Sequence, residues 1–489
     1  MSDGDPAGLD PMARADVREF VAALRREAGV PGKPPDDFFG AADFAFLARA
    51  PGRLDVMGGI ADYSGALVLE MPIAPAVHAA AAPRRDRRVR VASVDPSGAR
   101  APLLFETDIG GRGAPLVEGV AAARRFFAAT REDSWAGYAL GILAVWVENR
   151  GLSVDRGFDL FIRSAVPEGK GVSSSAALEI ASAHALGALF GVEASGPMLA
   201  AECQQVENLV VGAPCGIMDQ MTSECGHEGL LLELLCRPAE IRGEIPLPPT
   251  LALWGIDSGV RHAVGGGDYG SVRTAAFMGQ RIVAERLGAR AIVADGVLRL
   301  EGDPTGGYLA ALDADRFARE FEGSLPESVS GGEFLERYGG TIDRVTAVDP
   351  RRRYRVRAAA AHPVKEQRRI ERFASLLSEA EPGESAAELG RLMLESHRSY
   401  SSVGLGSEAT DLLVDLVLAA GVDAGLYGAK ITGGGSGGTV VVLGRADAHG
   451  AVRNVVESFA ARRGHSPSVF FGSSPGAAAF GARRIRLGS

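Results

Sequence analysis

The stretch Val166-Pro-Glu-Gly-Lys-Gly-Val-Ser-Ser-Ser-Ala-Ala-Leu-Glu-Ile180 contains two glycines, three serines and the start of an apolar run. Gly169 and Gly171 let backbone N–H groups come close to a ligand, because no Cβ stands in the way. The serines lie where a helix would begin, as capping residues with hydroxyls to spare. Free N–H groups and the positive end of a helix dipole favour an anion, so the stretch predicts a phosphate-binding loop or a plain loop with an N-cap. It is not a Walker A loop, because Lys170 is followed by glycine rather than Ser or Thr.

The composition indicates a large protein without a nucleic-acid partner. A chain of 489 residues is long enough for two or three domains. Its net charge of −9 argues against nucleic acid, which requires a basic face. Four cysteines lack C-x-x-C and zinc spacing, so we expect reduced thiols and a cytoplasmic location. We also expect no signal peptide and no membrane partner, because residues 1–6 are acidic and the most apolar window is interrupted.

The periodicity of apolar residues gives a coarse map of the chain. Helices are predicted at residues 17–28, 134–148, 197–211, 271–287, 354–377, 386–397 and 407–420, and strands at 44–50, 66–73 and 251–256. Pro51-Gly52 is expected to end the first strand. Residues 1–11 are expected to be disordered, and residues 257–270 are expected to form a mobile loop.

Two further stretches carry carboxylates among small residues. The stretch Ala48-Arg-Ala-Pro-Gly-Arg-Leu-Asp-Val-Met-Gly-Gly-Ile-Ala-Asp-Tyr-Ser-Gly65 contains Arg53 and Asp62. Taken alone, its segment Asp62-Tyr-Ser-Gly65 favours a plain turn, because nothing local requires a ligand. The stretch Gly212-Ala-Pro-Cys-Gly-Ile-Met-Asp-Gln220 places Asp219 in an apolar turn. Such a carboxylate is either hydrogen-bonded structure or a tuned functional group, and the sequence alone leaves both open.

A last glycine-rich stretch, Ala429-Lys-Ile-Thr-Gly-Gly-Gly-Ser-Gly-Gly-Thr-Val-Val-Val-Leu443, precedes a β-branched strand. It is either a hairpin turn or a place where backbone or ligand comes very close. Trp135 and Tyr138 share one face of a predicted helix. Most such aromatic residues belong to a core, although one near a nucleotide could stack on the base.

Taken in order, these four motifs resemble those of the GHMP small-molecule kinases, from about residue 44 onward. The sequences Asp-Tyr-Ser-Gly and Pro-Cys-Gly-Ile-Met-Asp-Gln resemble the galactokinase-like sugar 1-kinases in particular. The resemblance implies an α+β fold of two domains, the first like ribosomal protein S5 and the second ferredoxin-like, with the active site in the cleft between them. We expect an N-terminal extension at residues 1–38 and domains at 39–245 and 246–489.

The resemblance also implies a role for individual residues. The partners would be ATP, Mg²⁺ and a monosaccharide. The resemblance does not indicate an oligomeric state. Asp219 would face the anomeric hydroxyl of the sugar, with Arg53 beside it, and Ser175 and Glu207 would hold Mg²⁺. The residues expected on ATP are Gly169, Lys170, Gly171, Ser173, Ser174, Ser175 and, near the adenine, Trp135. Those expected on the sugar are Gly59, Ile60, Asp62, Gly216 and Tyr269.

One departure from the galactokinase pattern bears on the sugar. Galactokinases carry Gly-Glu-His-Thr-Asp-Tyr, whereas this chain has Gly58-Gly-Ile-Ala-Asp-Tyr63, so the Glu and His on the C6 side of galactose become Gly59 and Ile60. This variant and the segments at residues 258–269 and 397–407 resemble the L-arabinokinase branch, which implies L-arabinose as substrate. A galactokinase with unusual sugar contacts and an inactive sugar sensor remain as alternatives.

Overall fold

The strands form two main sheets in the computed structural model, which describes residues 10–40, 42–98, 100–129, 131–260, 267–294, 297–379 and 382–487. In chain order the strands are β1 (Phe44–Met57), β2 (Leu67–Pro83), β3 (Arg88–Val94), β4 (Leu103–Asp108), β5 (Phe158–Ser164), β6 (Leu230–Leu235), β7 (Glu240–Pro246), β8 (Leu251–Asp257), β9 (Arg290–Ala294), β10 (Val297–Glu301), β11 (Val329–Ser330), β12 (Arg353–Tyr354), β13 (Leu426–Ile431), β14 (Thr439–Arg445), β15 (Val469–Phe471) and β16 (Ala482–Arg486).

The first sheet has eight strands and the second has four. The first sheet follows the order β16-β1-β2-β5-β3-β4, and β6 and β7 extend it from the far end of β2. Among the described strands of this sheet β3 and β5 pair in parallel, and the other neighbouring strands pair antiparallel. The second sheet has the order β13-β14-β8-β15 and is antiparallel throughout. The last strand, β16, therefore returns from the C-terminal part of the chain to the edge of the first sheet.

Fourteen α-helices are described, and they confirm every helix that the apolar periodicity predicts. They are α1 (Ala15–Leu24), α2 (Val120–Ala129), α3 (Ala136–Arg150), α4 (Ser174–Phe190), α5 (Gly196–Gln205), α6 (Met218–Cys225), α7 (Gly267–Arg286), α8 (Ala314–Glu320), α9 (Gly331–Tyr338), α10 (Val356–Leu377), α11 (Pro382–Val403), α12 (Glu408–Ala420), α13 (His449–Arg463) and α14 (Ala477–Phe480). A π-helix, Val206–Val211, continues α5 directly. None of the helices in this described part of the chain has the length and apolar character needed to cross a membrane.

Strand β1 runs without interruption across Pro51 and Gly52, so the prediction that the strand ends there is wrong. The pairing of β1 with β2 shifts register between Pro51 and Arg53, and such an irregularity accommodates a residue without an N–H group. Gly52 faces a crowded neighbour, because a Cβ there would lie 2.5 Å from the Val172 carbonyl oxygen. As a result, Arg53 and Asp55 are fixed on a buried strand rather than on a loop.

Residues before β1 pack on the first sheet through α1. Val17 and Phe20 of this helix are fully buried, and the Phe20 ring stacks on Phe161 of β5 at a centroid distance of 5.7 Å. Asp16 accepts a hydrogen bond from the buried Arg49 of β1 at 2.7 Å. The predicted disorder of residues 1–11 concerns mainly residues 1–9, which lie outside the described residues, as do residues 261–266 of the predicted mobile loop.

Helix α4, which follows the first glycine loop, lies in the centre of the molecule. It packs against β1 and β2 on one side and α3 on the other. Because it contacts neighbours all around, it is apolar on almost every face, and even Glu179 and His184 are buried in it. The loop before α4 reaches the second sheet, because Thr439 Oγ1 of β14 donates to the Lys170 carbonyl oxygen at 2.8 Å.

Candidate active site

A cavity lies where the loops around both sheets meet, and it collects most of the residues singled out from the sequence. Of the predicted residues, those that line it are Arg53, Gly59, Ile60, Asp62, Gly169, Gly171, Ser173, Ser174, Ser175, Glu207, Gly216, Asp219 and Tyr269. Gly433 and Gly434 of the last glycine-rich stretch complete the wall. The four motifs are far apart in the chain, and the fold brings them to one place.

The first glycine loop forms the wall at the N-terminus of α4. Gly169, Gly171 and Ser173 all have left-handed backbone conformations, with φ of 68°, 69° and 60°. Ser173 occupies the N-cap position, but its hydroxyl makes no capping hydrogen bond and has no partner among the described residues, although it is buried. Ser173 therefore takes the N-cap position that the sequence predicts for the serines, with its hydroxyl to spare. A buried hydroxyl without a partner at a helix N-terminus fits an anion.

Arg53 connects this loop to the carboxylate of Asp219. Its Nη1 donates to the Gly171 carbonyl oxygen at 2.7 Å, and its Nη2 and Nε donate to Asp219 Oδ1 at 2.6 and 2.9 Å. Arg53 is buried, whereas the Asp219 side chain is 21% exposed and faces the cavity. Asp219 lies in the first turn of helix α6 rather than in the irregular turn that the sequence predicts.

A second carboxylate, Glu70 of β2, lies behind Arg53, and sequence reasoning missed it. Its Oε2 is 3.2 Å from Arg53 Nε, and its side chain is completely buried. Burial, together with the nearby charge of Asp55, raises the pKa of Glu70 well above its ordinary value. Burial by itself lowers the pKa of Arg53. The negative charges of the surrounding carboxylates, of which Asp219 has the largest effect, outweigh burial and raise the pKa above its ordinary value. Arg53 therefore stays charged between the two acids.

Asp62 and Gly216 meet on the opposite wall. A Cβ at residue 216 would lie 1.6 Å from Asp62 Oδ2, so only glycine leaves room for this carboxylate. Asp62 is buried, and burial followed by the charge of Asp219 raises the pKa of Asp62 to about 7. Tyr269, at the start of α7, packs edge-on against Tyr63 with ring centroids 5.9 Å apart. Arg273 holds the adjoining turn by donating to the Cys215 carbonyl oxygen at 2.9 Å.

Ser175 and Glu207 are neighbours on the third side of the cavity. Burial and the charge of Asp219 raise the pKa of Glu207 to about 7, against hydrogen bonds from Ser175, Cys215 and Gln220 that lower it. Gln220 Nε2 donates to Glu207 Oε2 at 2.9 Å and to Glu179 Oε2 at 3.0 Å. Among the described residues no group of three or more His, Cys, Asp or Glu side chains is arranged to hold a metal ion.

Two predicted residues do not line the cavity. Lys170 points away to Asp257, with Nζ 2.8 Å from Oδ2. Its backbone carbonyl accepts a hydrogen bond from Thr439 Oγ1 at 2.8 Å, so the residue ties the first glycine loop to β14. Trp135 is half-buried before α3 and packs against the apolar core that contains α3 and α4. The predicted contacts of Lys170 and Trp135 with ATP thus have no support from the cavity lining.

A buried ion pair beneath the cavity also escaped sequence reasoning. Lys430 Nζ of β13 lies 2.7 Å from Asp55 Oδ2 of β1, and both side chains are fully buried. The same carboxylate accepts hydrogen bonds from the backbone N–H groups of Gly59 at 2.9 Å and Gly433 at 3.2 Å. This pair therefore joins the wall that carries Ile60 to the last glycine loop.

Family models match three segments of the chain. They are the GHMP kinases N terminal domain at residues 137–227, the galactokinase galactose-binding signature at 36–83 and the GHMP kinases C terminal domain at 373–461. A galactokinase of Streptomyces coelicolor is 31% identical over 464 residues, which cover 94% of this chain and 98% of that relative. This chain belongs to the GHMP kinase family. The resemblance drawn from the four motifs is confirmed.

Other GHMP kinases show the same relationship. An L-arabinokinase of Arabidopsis thaliana is 40% identical over 486 residues, or 90% of this chain, and the chain spans about half (47%) of the length of that relative. The crystal structure of Lactococcus lactis galactokinase complexed with galactose has a TM-score of 0.66 at 20% identity, covering 92% of this chain and 97% of that one. The fold is therefore that of a GHMP kinase, and the predicted α+β class is confirmed.

Proposed function

We propose that this chain transfers the γ-phosphoryl group of ATP to the anomeric hydroxyl of L-arabinose and releases L-arabinose 1-phosphate and ADP. The observation that carries the proposal is the position of Asp219. It faces the cavity between the glycine loop at the start of α4 and the wall with Asp62 and Tyr269, and Arg53 fixes it there with two hydrogen bonds.

The glycine loop is proposed to bind the phosphates of ATP. Backbone N–H groups in left-handed conformations, the unpartnered Ser173 hydroxyl and the positive end of the α4 dipole all favour negative charge at this place. Phosphoryl transfer requires mostly positioning and cations near the developing charge. The Arg53 guanidinium lies directly beneath the loop and supplies one such charge.

Ser175 and Glu207 are proposed to hold Mg²⁺. Their oxygen atoms suit a hard cation, and Mg²⁺ usually takes only one or two ligands from the protein and the remainder from phosphates and water. When bound, the ion would offset the charge of the phosphates. The chain itself contributes the rigid position of Glu207, which Gln220 fixes at 2.9 Å.

Asp219 is proposed to act as the general base. Its carboxylate takes the proton of the anomeric hydroxyl while that oxygen forms a bond to the γ-phosphorus. The bond from this phosphorus to the oxygen bridging to the β-phosphate breaks, and ADP leaves with the electron pair. Arg53 keeps Asp219 oriented throughout, and Asp62 and Tyr269 are proposed to hold hydroxyl groups of the sugar ring.

The choice of L-arabinose depends on the wall formed by Gly59 and Ile60. L-Arabinopyranose shares the ring hydroxyls of galactopyranose but has no C6 hydroxymethyl group. An apolar side chain at residue 60 leaves no protein group without a hydrogen-bond partner when the hydroxymethyl group is missing. When galactose binds, its C6 hydroxyl would lose water without gaining a partner, which weakens binding by about 1–3 kcal/mol. D-Galactose is the second candidate, because the galactose-binding signature matches residues 36–83. An inactive sensor is disfavoured by the paired Arg53 and Asp219.

A sugar panel with ATP and Mg²⁺ tests the proposal. We expect a higher kcat/KM for L-arabinose than for D-galactose, and we expect Asp219→Asn to lower kcat by about 10²–10⁴-fold while ATP still binds. Asp315→Asn, a change of an exposed carboxylate on α8, is the matched control. A higher kcat/KM for D-galactose than for L-arabinose would identify D-galactose, the second candidate, as the substrate. Near-normal turnover by Asp219→Asn would refute the role of the base.

A further inference from the structure

Tyr400 of α11 lies behind the wall of the cavity, in contact with the lining residues Ile60 and Gly433. Its side chain is fully buried, and its hydroxyl accepts a hydrogen bond from the Ile60 N–H at 2.9 Å and donates one to the Gly433 carbonyl oxygen at 3.0 Å. The ring is held from two further sides, by the edge of His362 at 5.3 Å and by the Lys430 ammonium at 5.4 Å. Tyr400 therefore has one fixed position.

The Tyr400 hydroxyl occupies the place that a side chain at residue 59 would need. A Cβ on Gly59 would lie 1.5 Å from Tyr400 Oη and 2.8 Å from its Cζ. Gly59 also has a φ of +48°, which disfavours any other residue. The absence of a side chain at residue 59 therefore leaves no empty space in the wall, because Tyr400 Oη of α11 occupies that space.

We propose that Tyr400 is the residue that fixes sugar specificity, by holding the backbone of Ile60 so that this apolar side chain faces the sugar. This inference rests on the proposed function and deepens it. The hydroxyl satisfies a buried N–H on the sugar side and a buried carbonyl on the phosphate side of the same cavity. Tyr400 is a positioning residue, since it acts through Ile60 and Gly433 and does not itself line the cavity.

Removal of the hydroxyl alone gives the sharpest test. Tyr400→Phe keeps the ring but leaves the Ile60 N–H and the Gly433 carbonyl without their partner, so Ile60 is free to shift. We expect the ratio of kcat/KM for L-arabinose to that for D-galactose to fall about tenfold, mainly through a higher KM for L-arabinose. Tyr354→Phe is the matched control, because the buried Tyr354 hydroxyl accepts a hydrogen bond from the Asp349 N–H at 2.9 Å and Tyr354 does not line the cavity.

A second comparison uses the steric relation between residues 59 and 400. Gly59→Ala is expected to lower kcat/KM in the native background, and the loss in Gly59→Ala/Tyr400→Leu is expected to be smaller than the product of the two single losses. Such non-additivity is typical of residues in direct contact. If the loss in the double variant equals the product of the two single losses, the Tyr400 hydroxyl does not occupy the space next to residue 59 and the inference is contradicted.

The outcomes separate this inference from the proposed function. A ratio within twofold of wild type in Tyr400→Phe overturns the inference, whichever sugar the wild type prefers, and a uniform loss for both sugars shows a merely structural role. A ratio that falls in Tyr400→Phe and not in Tyr354→Phe supports it. The proposed function fails on different evidence, namely a wild type that phosphorylates neither sugar or an Asp219→Asn variant with normal turnover.

Discussion

The buried pair between Asp55 and Lys430 predicts a large loss of stability when one partner is removed. Lys430→Met leaves the Asp55 carboxylate fully buried, and among the described residues its remaining hydrogen-bond donors are then the N–H groups of Gly59 and Gly433. Breaking a buried ion pair in this way costs about 3–5 kcal/mol, because an uncompensated charge remains inside. Domains are typically stable by about 5–15 kcal/mol, so this single change removes a large part of the total.

Urea denaturation of the protein without ligands measures the free energy of unfolding. The matched control is Arg316→Met, which breaks an ion pair of similar length, 2.9 Å, whose side chains are 48% and 46% exposed. That change is expected to cost no more than about 0.5 kcal/mol. In Asp55→Asn/Lys430→Met neither charge remains, so the double variant should be more stable than Lys430→Met alone. The reasoning is refuted if Lys430→Met is no more destabilising than Arg316→Met.

Two further predictions concern protons and metal. In the protein without ligands the pKa of Asp62 is raised to about 7, so the folded state keeps a proton that the unfolded state loses above about pH 4. The contribution of Asp62 to the stability therefore falls by up to about 4 kcal/mol between about pH 4 and 7, and then levels off. Asp62→Asn should make the measured stability fall less steeply in urea titrations across that range, although Glu207, whose pKa is also about 7, still contributes. An unchanged slope would contradict this prediction. In steady-state assays, Glu207→Ala should raise the Mg²⁺ concentration needed for half-maximal activity by roughly 10–100-fold, and Ser175→Ala should raise it by less. If both variants have the same Mg²⁺ dependence as the wild type, other residues hold the ion.

The motifs of the chain are local, and local patterns predict them well. The first glycine loop, the helix that follows it and the β-branched strand after the last glycine loop are all where the sequence predicts them. The end of β1 is predicted wrongly, since Pro51 reads as a stop unless the register shift opposite β2 is known. A shift of this kind depends on two strands together, and one strand alone cannot reveal it.

The partners of the site residues are the part that sequence reasoning missed. Glu70, Tyr400 and Lys430 carry no local signal, because each is a single polar residue within an otherwise ordinary strand or helix. Their importance comes from contacts with Arg53 and with the turn around Gly59, which only the fold brings near. The role of Gly59 illustrates this limit: the sequence shows that a side chain is missing, and the structure shows what fills its place.

The return of β16 to the edge of β1 has a consequence for how the chain folds during synthesis. The register pairs Phe44 with Arg486 and Ala48 with Ala482, so almost the whole described chain separates the two strands. Until β16 has been synthesised, the N–H and C=O groups along this edge of β1 have no strand with which to pair. Unpaired strand edges of this kind promote aggregation. All four strands of the second sheet are made before β16. Of the two main sheets, the first is therefore the one that is completed last.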